Sequence, residues 1–70
     1  MYSVSDKIKW CSASGNKEGA IVDIYIAKNG NNEFIPFLVI EYQPQVDRTT
    51  RVQMPATDEY LKMMKVEKVV

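Results

Sequence analysis

The first third of the chain alternates polar and apolar residues in two short segments joined by a polar loop. In Lys7–Ser12, Ile8 and Trp10 share one face and the intervening residues share the other. The second segment, Ala20–Ala27, follows Gly19 and is rich in β-branched and aromatic residues, which favour strands. A chain of 70 residues has few ways to bury the apolar face of such strands. We therefore predict a small, mainly β domain.

The central part of the chain predicts two further strands. An Asn-Gly pair within Lys28–Glu33 can supply the positive φ values of a tight hairpin, so the strands on either side should be antiparallel neighbours. The third strand spans Phe34–Tyr42. Pro36 has no backbone N–H, which places it near the start of this strand, on an edge or in a bulge. After a connection at Gln43–Arg48, the fourth strand spans Thr49–Met54.

The carboxy-terminal segment predicts one helical turn and a last strand. Thr57 supplies a capping hydroxyl and two acidic residues follow it, where the helix dipole favours them. Val66, Val69 and Val70 then form the fifth strand. Apolar residues on both faces of the second and third strands favour a small closed barrel, with an open antiparallel sheet covered by a helix as the alternative. Residues 1–70 are predicted to form a single domain because two cores could not be filled.

The composition excludes several kinds of chemistry. The chain has no histidine, so it lacks both an imidazole general base and an imidazole metal ligand. Its single cysteine, Cys11, can form neither an internal disulfide nor a thiolate zinc site. We predict that the protein is not an enzyme and uses no cofactor or metal, and we favour a plain strand role for Cys11 over a redox role.

The same features predict the location of the protein. A small secreted domain is usually stapled by disulfides, so one cysteine favours a reducing compartment. We expect no signal peptide, since the first residues have neither a basic region nor a following apolar segment. No apolar run approaches the roughly 18 residues of a membrane span. These observations predict a cytoplasmic protein that does not enter a membrane.

The segments Ser5–Trp10 and Gly19–Val22 resemble small SH3-like barrels of the Tudor and KOW type. In the Tudor-like domain of hypervirulence-associated proteins the first strand reads aspartate-x-valine-x-tryptophan, which Asp6, Ile8 and Trp10 match. The likeness covers about the first third of the chain. Ser5 stands where such barrels usually carry glycine. The five predicted strands and the short helical turn near the C-terminus describe a five-stranded SH3-like barrel, and the resemblance implies the same barrel fold. It also implies a binding role with an unspecified partner.

Four aromatic residues, Trp10, Tyr25, Phe34 and Tyr42, are candidates for partner contacts. The resemblance implies that aromatic residues at strand ends can form a cage that holds a methylated cation. The same rings could stack on unpaired bases while lysines contact phosphates. Alternatively they fill the core, and for Trp10 we favour this alternative because it shares an apolar face with Ile8.

Basic residues form a second candidate surface. If the first and fourth strands lie side by side, Lys7, Lys9 and Arg51 could converge on one face, and Arg48 could join them. Nine basic and nine acidic residues interleave along the chain, which is more typical of an ordinary solvated surface. Combining both surfaces, we predict a non-enzymatic binding module that recognises a protein, peptide or nucleic-acid partner through an aromatic and basic face. The predicted partner-binding residues are Lys7, Lys9, Trp10, Tyr25, Tyr42 and Arg51.

The strand edges and the carboxy-terminal segment suggest an alternative function. The protein could be a structural or assembly protein that acts as a homo-oligomer or an accessory subunit. Unpaired strand edges favour association, including a homodimer. The Met/Val-rich segment after Thr57 could form an interface, because methionine adapts to varied partners. The same segment could instead act as a lid on the open end of the barrel.

Overall fold

Residues 2–69 are described by a computed structural model, apart from the side chains at positions 44 and 45. The elements in chain order are β1 (Lys7–Ser12), β2 (Gly15–Lys28), β3 (Phe34–Gln45), β4 (Arg48–Pro55), α1 (Asp58–Met63) and β5 (Glu67–Lys68). The strands form one antiparallel sheet in the order β4-β3-β2-β1-β5. The mainly β class, the five strands and the late helical turn are confirmed. Closure into a barrel is not, because β4 and β5 form two open edges.

The hairpin between β1 and β2 is tighter than the sequence suggests. The predicted loop over residues 12–19 is reduced to a turn at Ala13 and Ser14, and β2 begins at Gly15. Gly15 has a φ of 116°, a conformation that glycine adopts without steric cost, and its carbonyl accepts a hydrogen bond from Ser12 Oγ at 2.8 Å. The polar start of β2 resembles a loop in sequence, but its backbone still pairs with β1 along its whole length.

The long strand β2 is shared between two halves of the sheet. Its first half pairs with β1 and its second half with β3, and Ala20 stands opposite both Lys7 and Glu41. At Gly19 the backbone of β3 comes so close that an added Cβ would lie 2.6 Å from the carbonyl oxygen of Glu41. A side chain at this position would therefore separate the two strands. Glycine allows the close approach that brings both halves of the sheet around one core.

A β-bulge lies just beyond this crossing. Ile21 stands opposite Ile40 and Asp23 opposite Val39, so Val22 is the extra residue. Because a bulge shifts the alternation by one position, Ile21 is buried and Ile24 also packs against the core. Strict alternation along β2 would place these two isoleucines on opposite faces, and the bulge brings them to the same side.

The β2–β3 hairpin is confirmed, but its turn is not the predicted Asn-Gly turn. The loop covers residues 29–33, and Asn32, not Gly30, adopts the positive φ, at 64°. The side-chain oxygen of Asn29 accepts hydrogen bonds from the backbone N–H groups of Asn31 and Glu33 at 2.9 and 3.0 Å. An asparagine side chain therefore organises the turn.

Pro36 lies near the start of β3, as predicted, although β3 is a central strand. It stands opposite Ile26 on one side, and on the other its carbonyl accepts a hydrogen bond from Ala56 N at 2.8 Å. The nitrogen of Pro36 thus faces the end of β4, where the backbone pairing between β3 and β4 stops. The missing N–H leaves the pairing between β2 and β3 intact.

The core lies on one side of the sheet and is covered by the carboxy-terminal segment. Thr57 caps α1, its Oγ1 accepting from Tyr60 N at 3.3 Å, as the sequence predicts. The helix is too short to be stable alone and depends on its packing. Half-buried residues of this segment, Tyr60, Leu61, Met64 and Val66, pack against the core. The core cluster consists of Ile8, Trp10, Ile21, Leu38, Ile40 and Met54.

The predicted last strand is confirmed in part. β5 is formed by Glu67 and Lys68 between the predicted valines, while Val70 lies outside the described residues. Across the part of the chain that is described, no helix has the length and apolar character needed to cross a membrane.

Candidate functional site

The six predicted partner-binding residues lie on two different sides of the sheet. We call the side that carries Ile8 and Ile40 the core face, and the opposite side the outer face. Trp10 and Tyr42 belong to the core face. The other four, on the outer face, are Lys7, Lys9, Tyr25 and Arg51. The fold therefore does not bring all six together.

Trp10 is part of the core. Its ring is 4% exposed and meets the ring of Tyr42 edge-on, with centroids 5.6 Å apart and an interplanar angle of 90°. Tyr42 is half-buried, and Lys17 Nζ lies 5.7 Å from its ring centroid. Trp10 thus exposes too little of its surface for a ligand to stack on its ring. A cation of the chain itself lies over Tyr42, and both observations weigh against an aromatic cage built on this pair.

The basic residues of the outer face are interleaved with acids. Arg51 Nε lies 3.0 Å from Glu41 Oε2, and Lys9 Nζ lies 3.5 Å from Glu67 Oε2. These ion pairs are exposed, so each adds little stability. They do offset the positive charge locally. Lys7 and Lys9 share the outer face with Arg51, but the condition for their convergence, that β1 and β4 lie side by side, is not met, because β2 and β3 lie between these strands.

The outer face carries an aromatic pair, of which only Tyr25 is predicted from the sequence. The rings of Tyr25 and Phe37 are stacked, with centroids 5.5 Å apart and an interplanar angle of 12°. The two residues are direct cross-strand partners on β2 and β3. The Tyr25 hydroxyl donates a hydrogen bond to Gln53 Oε1 on β4 and fixes the orientation of its ring. The register of the β2–β3 hairpin was the missing signal, because it sets which residue faces Tyr25.

Phe37 also lines a groove between the β2–β3 loop and α1. The apolar lining of this groove is formed by Ile35, Phe37, Pro55, Tyr60 and Met63. Its acidic lining residues are Glu33, Asp58 and Glu59, and among the described residues no lysine or arginine lines it. We call this region the acidic groove. It was missed because its walls come from separate elements whose proximity depends on how α1 packs.

A second depression lies on the outer face above Ala20. Because the side chain of Ala20 is small, the surface dips between Lys7 of β1 and Glu41 of β3. Charged residues of both signs surround the dip: Lys7, Glu18 and Glu41. Such a mixed rim selects no particular charge on a partner.

Two further candidates from the sequence are placed by the structure. Cys11 is half-buried on β1, and its thiol donates a hydrogen bond to Asn16 Oδ1 at 3.1 Å. Phe34 is exposed at the β2–β3 hairpin, where Lys28 Nζ lies 5.4 Å from its ring centroid. Within residues 2–69 no group of three or more Cys, Asp or Glu side chains is arranged to hold a metal ion.

Comparison with known proteins finds no match among protein-family models, curated protein sequences or solved structures.

Proposed function

We propose that the protein is a non-enzymatic binding module whose partner is a protein or peptide with basic and apolar side chains. The observation that carries this proposal is the acidic groove, an apolar channel lined by carboxylates and continuous with the Tyr25–Phe37 pair through Phe37. Apolar contacts would supply affinity, and the carboxylates would select a partner of opposite charge. Met63, at 67% exposure, offers an adaptable apolar contact at the edge of the groove.

The charge of this region favours a protein partner over a nucleic acid. Nucleic-acid affinity grows with the number of phosphates that lysine and arginine neutralise. The carboxylates of the acidic groove would repel phosphates, and Arg51 and Lys9 on the outer face are already paired with acids. Of the predicted partner-binding residues, the proposal retains Tyr25, which stacks on Phe37 beside the groove.

The test selects random peptides on the immobilised protein and then measures their binding to two variants. Each variant replaces one exposed apolar residue, which lies inside the groove in the first variant and outside it in the second. Met63→Lys removes an apolar contact from the groove and adds a positive charge, whereas Val46→Lys makes the same change in the turn between β3 and β4, where Val46 is 98% exposed. We expect selected peptides to combine lysine or arginine with apolar residues. They should lose affinity for Met63→Lys, because it removes the apolar contact and repels their basic residues, and bind Val46→Lys normally.

A selection without basic enrichment, or equal binding to both variants, would contradict the proposal. Binding of a single-stranded oligonucleotide at low salt, lost as salt rises, would restore the nucleic-acid alternative.

We further propose that the sheet is of the SH3-like type, related to Tudor and KOW barrels. Support comes from the strand order, in which the first four strands are consecutive neighbours and the last returns to the first after one helical turn. Ser5, where such barrels usually carry glycine, has a φ of 82°, a conformation that glycine favours. A cytoplasmic location is proposed on the chemistry of a lone thiol, Cys11.

Assembly of identical chains is the second candidate function. The carboxy-terminal segment gives it little support, since most of its apolar residues pack against the core of the same chain. The open edge of β4 does support it.

A further inference from the structure

The two edges of the sheet differ in what they offer to another chain. β5 has only two residues, whereas β4 spans eight, Arg48–Pro55. A long open edge presents unpaired backbone groups that a further strand can bind. Another strand would bind to this edge through backbone hydrogen bonds, whereas a partner of the acidic groove would bind through apolar contacts and carboxylates.

The direction of the backbone groups of β4 follows from the end of its ladder. The backbone N–H of Ala56 donates a hydrogen bond to the carbonyl of Pro36. Phe37 and Pro55, which face each other next to this bond, therefore form a pair whose members do not hydrogen-bond to each other. Backbone groups alternate along a strand, and the register is regular from this pair to Tyr42. The backbone N–H and C=O groups of Val52, and of the residues two positions away on either side, therefore point towards β3. The backbone N–H and C=O groups of Arg51 and Gln53 point to the open edge.

We propose that β4 pairs with β4 of a second copy of the chain, antiparallel and centred on Val52. In this register Arg51 stands opposite Gln53 of the second copy, and both residues have outward-pointing backbone groups. The two pairs related by the dimer axis exchange their N–H and C=O groups, which gives four hydrogen bonds. The two sheets then form one continuous sheet.

Other symmetric registers are less favourable for identifiable reasons. Centring on Arg51 places two guanidinium groups directly opposite each other, which is destabilising. Centring on Gln53 places Arg51 opposite Pro55, so the missing N–H removes a hydrogen bond from each pair next to the centre, whereas centring on Val52 keeps both of its central pairs complete and moves Pro55 towards the end of the ladder. Centring on Thr50 places Gln53 opposite Asp47, which lies in the turn, and shortens the ladder.

Two properties of the chain favour a second copy over an unrelated strand. The formal net charge is zero, so identical copies do not repel each other at long range. Val52 is half-buried on the core face and lines an opening of the core together with Trp10, Tyr42 and Tyr60. Pairing about Val52 would place the second copy's Val52 against it and cover this apolar rim.

Cysteine cross-linking tests the register. In a Cys11→Ser background, Thr50→Cys, Arg51→Cys, Val52→Cys and Gln53→Cys each provide one thiol on β4. Directly opposite non-hydrogen-bonded residues have Cβ atoms about 4.5–5.5 Å apart, close to the geometry of a disulfide. We expect Val52→Cys to form the disulfide dimer at least about tenfold faster than the other three. Fastest cross-linking at another position would overturn the proposed register.

Proline substitution tests whether backbone pairing holds the dimer. Gln53→Pro removes an N–H that points to the open edge and leaves the ladder with β3 intact. Its control, Gln53→Ala, removes the same side-chain contact with Tyr25 and keeps the N–H. By sedimentation equilibrium we expect the dimer dissociation constant to rise about tenfold or more for Gln53→Pro relative to Gln53→Ala.

Thermal unfolding of both variants checks that each remains folded. A chain that stays monomeric at every concentration overturns the proposal, as does a dimer that tolerates Gln53→Pro. These outcomes are independent of the peptide selection on the acidic groove, so the two proposals can fail separately.

Discussion

Replacing Gly19 by alanine tests the close approach of β2 and β3. An added Cβ would lie 2.6 Å from the carbonyl oxygen of Glu41, 2.8 Å from Cγ2 of Ile40 and 3.0 Å from Cβ of Tyr42. The first contact involves backbone and cannot be relieved by a side-chain rotation. Overpacking a well-filled core costs about 1–3 kcal/mol, and a backbone clash places this variant near the upper end.

That cost is large for a domain of this size. A core in a chain of about 70 residues supplies a net stability of roughly 3–5 kcal/mol. One kcal/mol shifts the midpoint of thermal unfolding by about 4–8 °C in a domain of 60–100 residues. We therefore expect Gly19→Ala to lower the Tm by about 10–20 °C. Trp10 is the single tryptophan and is buried, so its fluorescence is a suitable probe of unfolding.

Gly30→Ala is the matched control. No atom lies within 4 Å of a Cβ built at Gly30, which is exposed in the β2–β3 loop, so the change should stay within about 0.5 kcal/mol of the parent protein. If Gly19→Ala unfolds at the same temperature as Gly30→Ala, β2 and β3 are not in the close contact that shapes the sheet. The inference that Gly19 allows β2 to approach β3 so closely would then be refuted.

Ser5→Gly should stabilise the protein by about 1 kcal/mol, because a non-glycine residue at a φ of 82° is strained; the same change at Ser3 should not raise the unfolding midpoint. Equal midpoints for the two variants would show that Ser5 is not strained. The pKa of Asp6 lies below its usual value because Ser3 N–H donates to its carboxylate at 2.8 Å and Lys68 Nζ lies 3.3 Å away, with partial burial opposing both. Asp6 therefore contributes stability that is complete above about pH 4 and is lost as the pH falls through its lowered pKa. Asp6→Asn should be less stable than the parent at neutral pH and lose less stability on acidification, and parallel pH profiles of denaturant unfolding would contradict this.

Local patterns in the sequence were sufficient to predict several of the elements. Period-two alternation predicted β1 with its observed bounds, and the capping hydroxyl of Thr57 predicted the start of α1. The bounds of β1 and the start of α1 depend on residues that are close in the sequence, so they can be predicted without the tertiary structure. The polar start of β2 was missed because backbone pairing with β1 does not require apolar side chains.

The composition determined that the chain has no imidazole and a single thiol, and the patterning determined a mainly β structure with five strands. Only the tertiary structure decided which faces those strands present. The bulge at Val22 moves Ile21 and Ile24 to the same side, and the strand order separates Lys7 from Arg51. The acidic groove and the open edge of β4 likewise depend on contacts between residues distant in sequence. Pairing register and helix packing create such contacts, and local periodicity does not encode either of them.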